Sequence, residues 1–168
     1  MKHLILTSAI LAALTAPIGA ETLTIGTATA QTGGLAYADV PTMQGMKLAV
    51  EEINAAGGID GATKIVLLEK DVRSDPAQTS IAAQELADAG VSVIVLPGDS
   101  DPALAAIGVV SSAEIPAIST VASSPTLPEI GGDYMFSNFP GDNVQAAVSA
   151  KWAWDEGYKT AWIVYSPD

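Results

Sequence analysis

The sequence predicts an α/β protein built on a doubly wound parallel sheet. Strand-like and helix-like patterns alternate four times between residues 22 and 119, the connections between them are short, and two strand-like segments are nearly continuous apolar runs. Such runs are typical of parallel strands covered on both faces, and the alternation is typical of helices packed on both sides of one sheet. Because such sheets bind ligands at the carboxyl ends of their strands, the loops that follow the strands are candidate sites.

The first strand is predicted over Thr22–Thr29, where apolar residues alternate with polar or small ones. The helix that follows is predicted over Pro41–Asn54, because its apolar residues recur at spacings of three and four and form one face. Gly57-Gly58 is expected to end that helix, since glycine readily adopts the left-handed backbone of a helix terminus.

The second strand is predicted over Lys64–Asp71 and is expected to be buried on both faces. The next helix is predicted to begin at Asp75-Pro76 and to end at Gly90. Asp75 is expected to cap the free amides of this helix, and Gln78 is expected to complete a capping box.

A third strand is predicted over Val91–Leu96 and a fourth over Ile115–Ser119. Between them, Asp101-Pro102 has the form of a second capped helix start, which makes Asp101 the expected cap of a helix that runs to Ala113.

Beyond the fourth strand come a short apolar piece over Tyr134–Phe136, a predicted helix over Asp142–Glu156 and a predicted strand over Tyr158–Tyr165. The Trp residues of this segment are expected to pack the helix on the strand: Trp152, Trp154 and Trp162.

Composition narrows the possible functions. Met1–Ala20 has the basic start, apolar stretch and small-residue end of a secretory signal peptide. The remaining 148 residues hold 6 basic and 19 acidic side chains, a balance of −13, and neither His nor Cys. Without imidazole or thiol, most hydrolase chemistries and the common transition-metal sites are excluded, so no catalysis, metal or cofactor is expected.

The same composition indicates the surroundings and partners of the protein. An acidic chain repels phosphate backbones, which excludes nucleic acid as a partner. No segment after the leader approaches the roughly 18 consecutive apolar residues of a membrane span. Export without any Cys favours the bacterial periplasm, where a large core can replace disulfides.

An enzymatic alternative depends on Asp99-Ser100-Asp101, which follows an apolar strand as the DxD motif of haloacid-dehalogenase-type phosphatases does. The chain departs from that pattern at Pro102-Ala103. Asp71 and Asp75 are candidate cation ligands, but two carboxylates are too few for a hard cation. Structural roles are favoured instead: Asp71 as a carboxylate at the end of a strand and Asp75 as the cap of a helix.

A binding site without catalysis is the main hypothesis. Ser100 lies beside a helix start, where free backbone amides favour an anionic group, and Ser123 follows a neighbouring strand. Two hydroxyls beside exposed amides are suited to holding a ligand carboxylate.

The chain from Leu23 onward resembles the N-terminal part of periplasmic solute-binding proteins of the Leu/Ile/Val-binding type, which feed ABC importers. The stretches that carry the resemblance are Thr32-Gly33, Gly45 with Ala49–Ile59, Asp71 with Asp75-Pro76, Ile115–Ser119 and Ala122–Pro125.

The resemblance implies the type I fold of this family, in which two α/β lobes close on an amino acid. It implies that Ser100 and Ser123 bind the ligand through their hydroxyls and that the carbonyl of Val121 accepts from the ligand ammonium. It also implies an aromatic residue after the first strand, for which Tyr37 is the candidate, although Tyr37 comes one position early. Asp99 and Asp101 flank Ser100, and Ser137-Asn138 replaces a basic residue, so the ligand is expected to be an amide or to carry extra positive charge.

The expected organisation is a signal peptide over 1–20, most of the first lobe over 21–141 and the start of a second lobe over 142–168, in a fragment that arises by truncation or frameshift. The resemblance implies a periplasmic monomer that delivers a small-molecule ligand to an ABC permease in the membrane. A second alternative is the ligand-sensing domain of a receptor.

Overall fold

The computed structural model describes residues 21–165, so the predicted leader lies outside the described residues. The strands are β1 (Thr22–Thr29), β2 (Lys64–Asp71), β3 (Val93–Leu96), β4 (Ala117–Ser119) and β5 (Met135–Ser137). The helices are α1 (Ala36–Ala55), α2 (Pro76–Asp88), α3 (Ser100–Ser112), α4 (Thr126–Gly131) and α5 (Asp142–Asp155), and a short 3-10 turn spans Gly132–Tyr134.

The strands form one parallel sheet in the order β2-β1-β3-β4-β5. The predicted α/β class and parallel sheet are therefore confirmed. The chain starts in an interior strand, β1, adds the edge strand β2 on one side and then crosses over β1 to build the other side. This reversal brings the loops after β1 and β3 together at the carboxyl edge.

The main core lies between one face of the sheet and the helices α2, α3 and α4. Its largest fully buried aliphatic side chains are Leu86, Ile94, Leu96 and Leu127. Burying a side chain of this size contributes about 1.5–3 kcal/mol, so this layer holds the sheet and its loops in place.

The opposite face of the sheet is covered by α1, whose Met43 is buried. The cover does not extend to the β4 and β5 side of this face, where Phe136 is 51% exposed and Ile118 is partly exposed. Among residues 21–165, no helix is both long and apolar enough to cross a membrane.

The bounds of β1 and β2 are as predicted, and α1 differs at its start. The helix begins at Ala36, and Pro41 lies inside it. Pro41 is the sixth residue of α1, so it removes one backbone hydrogen bond from the second turn of the helix. Gly57 and Gly58 follow the helix with φ of 111° and 94°, which confirms their role in ending it.

Two details of β2 and α2 were predicted wrongly. Val66 in β2 is about half exposed, because β2 is the outermost strand and the helix layer does not reach across it. Asp75 caps α2 as predicted, accepting from the Gln78 backbone N–H at 2.8 Å. The backbone N–H of Asp75 donates to the Val72 carbonyl instead of to the Gln78 side chain, so the capping box is only half formed.

The predicted strand over Tyr158–Tyr165 is wrong, because these residues have no strand partner in the described chain. An extended segment without a neighbour cannot satisfy its backbone groups in a ladder. The packing predicted for the Trp residues is wrong for the same reason: Trp162 is 97% exposed, and Trp152 and Trp154 are largely exposed on α5.

Candidate functional site

Three loops converge at the carboxyl edge of the sheet, after β1, β3 and β4. Because β1, β3 and β4 are adjacent, the loops that follow them lie side by side. The loop after β3, residues 97–101, and the loop after β4, residues 120–125, are joined by a hydrogen bond between Ser124 and Ser100. The loops that follow the strands therefore lie together at the carboxyl edge of the sheet, where a site was predicted.

The cap of α3 is Asp99, which corrects the prediction that Asp101 would cap the helix. The Asp99 carboxylate accepts from the Asp101 backbone N–H at 3.1 Å, and the helix begins at Ser100. Pro102 is therefore the third helical residue, a position whose N–H would have no helical partner. Asp99, the first carboxylate of the DxD motif, therefore has a structural role as the cap of α3. Across residues 21–165, no cluster of three or more His, Cys, Asp or Glu residues could hold a metal ion.

Ser100 joins the loops that follow β3 and β4. It is half-buried, and its hydroxyl oxygen accepts from the Ser124 backbone N–H at 3.3 Å. Ser100 is also the first residue of α3, a helix of 13 residues. The hydroxyl is thus held beside the free amides and the positive end of the helix dipole.

Val121 packs directly against Gly98 of the neighbouring loop. A Cβ on Gly98 would overlap the side chain of Val121 and would lie 2.9 Å from the Oδ1 atom of Asp39. Only glycine fits here, because any side chain would push the two loops apart. The close approach fixes the distance between the Val121 segment and the start of α3.

Ser123 lies on a surface cleft of about 320 Å³ between the β4 loop, α4, the β5 loop and the start of α5. The lining contains hydroxyl groups, one carboxylate and one aromatic ring, and its members are Ser123, Ser124, Pro125, Pro128, Glu129, Ser137, Phe139, Gly141 and Asn143. None of these residues is Lys, Arg or His. The carbonyl of Ser123 accepts from the Asp142 backbone N–H at 2.8 Å, which fixes the start of α5 at the cleft.

Of the nine lining residues only Ser123 was predicted as a site residue. The polar or aromatic ones that lie outside the β4 loop are Glu129, Ser137, Phe139 and Asn143. The sequence feature that could have identified Ser137 and Phe139 is the short apolar piece that forms β5. The segment at the end of a parallel strand lies at the same edge of the sheet as the other loops. Ser137 donates from its hydroxyl to the carbonyl of Ala122 at 3.2 Å, which ties this segment to the β4 loop.

Tyr37 lies in the first turn of α1, and its side chain is 79% exposed. It is not part of the cleft that contains Ser123. Ser100, Val121 and Ser123 are thus brought to two adjoining loops, whereas Tyr37 lies on the helix that follows β1.

Asp39, a buried carboxylate behind these loops, was not among the predicted site residues. Its two oxygens accept from the backbone N–H groups of Ala30, at 2.7 Å, and Gly98, at 2.8 Å. Burial raises the pKa of Asp39, the two hydrogen bonds oppose that rise, and the nearby Asp99 carboxylate adds to it, so the pKa lies above its ordinary value. The sequence feature that could have identified Asp39 is its position four residues before Met43, which places both side chains on the buried face of α1.

Comparisons with known proteins complete the description of this site. The sequence model of a family described as periplasmic binding protein matches residues 22–168. The Leu/Ile/Val-binding protein BraC3 of Rhizobium johnstonii is 31% identical over 148 residues, which are 88% of this chain and 40% of that protein. The chain thus spans about 40% of the length of this curated relative.

Two solved structures have the same architecture. The branched-chain amino acid transporter substrate-binding protein LivJ of Streptococcus pneumoniae, in complex with isoleucine, has a TM-score of 0.69 and 36% identity, covering 73% of this chain and 35% of that one. A solute-binding protein of an ABC transporter from Rhodopseudomonas palustris, in complex with 3,4-dihydroxybenzoic acid, has a TM-score of 0.72 and 26% identity, covering 82% of this chain and 37% of that one.

Proposed function

The chain belongs to the periplasmic binding protein family, and on that premise we propose that it is the ligand-binding part of an ABC importer for branched-chain or related amino acids or their amides. The observation that carries the proposal is the Ser100 hydroxyl, which lies at the N-terminus of α3 and bonds to the loop after β4. A ligand carboxylate bound there would receive hydrogen bonds from hydroxyl and amide groups and would be favoured by the helix dipole.

The ligand ammonium requires acceptors, and the site offers them. We assign this role to the carbonyl of Val121, with the Glu129 carboxylate supplying negative charge in the adjoining cleft. The Asp99 carboxylate accepts from the Asp101 backbone N–H but keeps its negative charge beside Ser100, which favours a ligand that also carries positive charge. A ligand that combines an ammonium with a carboxylate or amide therefore fits better than an acid without an ammonium group.

The wider role follows from the family. The leader over residues 1–20 would direct the protein to the periplasm, residues 21–141 would form most of the first lobe, and residues 142–168 would begin the second. Ligand contacts with both lobes would stabilise a closed state, and the permease of the importer would recognise that state. The protein would act as a monomer without catalysis, so the bound amino acid would be released unchanged.

A thermal-shift series with the full-length protein tests this function. L-leucine, L-isoleucine and L-leucinamide are compared with D-leucine and 3,4-dihydroxybenzoate over a range of concentrations. We expect at least one L-compound to raise Tm in proportion to RT ln(1 + [L]/Kd), and D-leucine to have little effect. A shift with the benzoate alone would contradict the amino-acid proposal, and no shift with any compound would contradict the uptake of these ligands.

A further inference from the structure

Asp39 is the one charged side chain that is buried among residues 21–165, with 1% of its surface exposed. A carboxylate in such a place is costly unless hydrogen bonds compensate for its lost hydration. Its partners are two backbone N–H groups, those of Ala30 after β1 and Gly98 after β3. Each carboxylate oxygen accepts a hydrogen bond from one of them, so the side chain connects α1 to the ends of two adjacent strands.

Gly98, one of the two partners of Asp39, lies next to the proposed ligand site. Gly98 is two residues before Ser100 and is in contact distance of Val121, with no space for a Cβ between them. The carbonyl of the preceding residue, Pro97, accepts from the Ser119 hydroxyl at 3.3 Å. The segment is therefore held from one side by β4 and from the other by Asp39.

A neutral side chain of similar size would not replace Asp39. An Asn offers one acceptor oxygen, and its NH₂ group would face one of the two backbone donors. One N–H would then lose its partner, and Gly98 or Ala30 would move. Because Val121 packs on Gly98 and Ser100 follows it, a movement of Gly98 reaches both of these proposed ligand contacts.

We propose that Asp39 is a positioning residue of the ligand site: by holding the Gly98 amide, it sets the spacing between the Ser100 hydroxyl and the Val121 carbonyl. The proposal rests on the proposed function, since it assigns these two groups to the ligand. Asp39 itself lies behind the loops and does not contact the ligand.

The test compares Asp39→Asn with a matched variant, Asp71→Asn, in the full-length protein. Like Asp39, Asp71 is a carboxylate that accepts from backbone N–H groups, but it lies at the end of β2 and its partners are Gln31, Thr32 and Arg73. Assigned amide proton–nitrogen NMR spectra are recorded without ligand at a temperature where all forms are folded. We expect the amide signals of Gly98, Ser100 and Ser124 to move in Asp39→Asn and to stay in place in Asp71→Asn.

The second measurement is the affinity for L-leucine at the same temperature. We expect Asp39→Asn to weaken it by about tenfold, the effect of about 1.4 kcal/mol, while Asp71→Asn leaves it unchanged. Unmoved signals at Gly98, Ser100 and Ser124 would overturn the proposal, as would moved signals with unaltered affinity. Failure of the unsubstituted protein to bind L-leucine would count against the proposed function, and the NMR comparison would still decide whether Asp39 positions the Ser100 loop.

If Asp39→Asn does not fold, Gly98→Ala provides the second variant, because it disturbs the same contact from the other side. It is expected to weaken L-leucine binding and to move the Ser100 and Ser124 signals. Unchanged affinity in Gly98→Ala would overturn the proposal in that case.

Discussion

The hydroxyl of Thr32 donates a hydrogen bond to the carboxylate of Asp71 at 2.7 Å, joining the loop after β1 to the end of β2. The backbone N–H groups of Gln31 and Thr32 donate to the other carboxylate oxygen of Asp71 at 3.0 and 3.2 Å. Ser74 adds to this connection by accepting from the Leu35 N–H at 2.9 Å. The loop that leads into α1 is therefore held to Asp71 and Ser74, at the end of β2 and in the loop that follows it.

Asp71→Asn should destabilise the protein in a pH-dependent way. Desolvation raises the pKa of Asp71, but the hydrogen bonds from the Thr32 hydroxyl and from three backbone N–H groups outweigh it, so the pKa lies below 3.8. A lowered pKa in the folded state means that the stabilisation is fully present above the unfolded pKa and is lost as the pH falls through the folded one. Urea unfolding at pH 7 should show a deficit for Asp71→Asn that shrinks in acid. Asp133→Asn, at an exposed site, is the control, and an equal deficit at every pH would refute the assignment.

Gly98→Ala should destabilise the protein by about 1–3 kcal/mol, because the new methyl group would overlap Val121 and crowd Asp39. Gly108→Ala is the matched control, since Gly108 is an exposed residue of α3 with nothing within 4 Å of the added Cβ. There the same substitution should stabilise α3 by about 0.5–1 kcal/mol. Denaturant unfolding measures both, and equal effects of the two substitutions would show that the contact at Gly98 is not restrictive.

Asp99→Ala should cost about 1 kcal/mol through loss of the α3 cap. Asp101→Ala should cost less, because Asp101 supplies only its backbone N–H to the cap and a favourable charge in the first turn. Unfolding in urea at neutral pH compares the two, with Asp99→Asn expected to recover most of the loss. A larger cost for Asp101→Ala would reassign the cap to that residue.

Ser100→Ala and Ser123→Ala should have different effects on stability and similar effects on binding. The Ser100 hydroxyl accepts from the Ser124 N–H, so its removal should lower both Tm and the thermal shift produced by L-leucine. Ser123 faces the cleft, so its removal should reduce the ligand shift while Tm without ligand stays close to that of the unsubstituted protein. An undiminished ligand shift in both variants would remove these hydroxyls from the site.

The sequence predicted the elements of this fold better than their boundaries. Alternation of apolar and polar residues predicted β1, and a continuous apolar run predicted β2. Both strands have the predicted bounds, because each pattern has clear ends. The start of α3 was less certain, since Pro102 is compatible with any position in the first turn and so does not distinguish Asp99 from Asp101 as the cap. The end of the chain was predicted wrongly because a strand depends on a partner, which local sequence does not reveal.

The candidate site was also predicted only in part. The loops that carry Ser100 and Ser123 were found because strand ends in a parallel sheet mark candidate sites. Asp39 was missed because its partners lie 9 and 59 residues away, and only the folded chain brings them together. Phe139 was missed because β5 is only three residues long and gives a weak signal. Glu129 was missed because α4, which carries it, has only six residues and was not predicted.

The order of strands also determines how the sheet can be assembled. β1 is an interior strand, second from one edge of the sheet, and precedes the other four strands in the chain. β2 joins one side of β1, β3 joins the other, and β4 and β5 extend that side in turn, so no strand has to enter between two that are already paired. A chain that becomes available from its amino end can therefore build this sheet outward, one strand at a time, without undoing any earlier pairing.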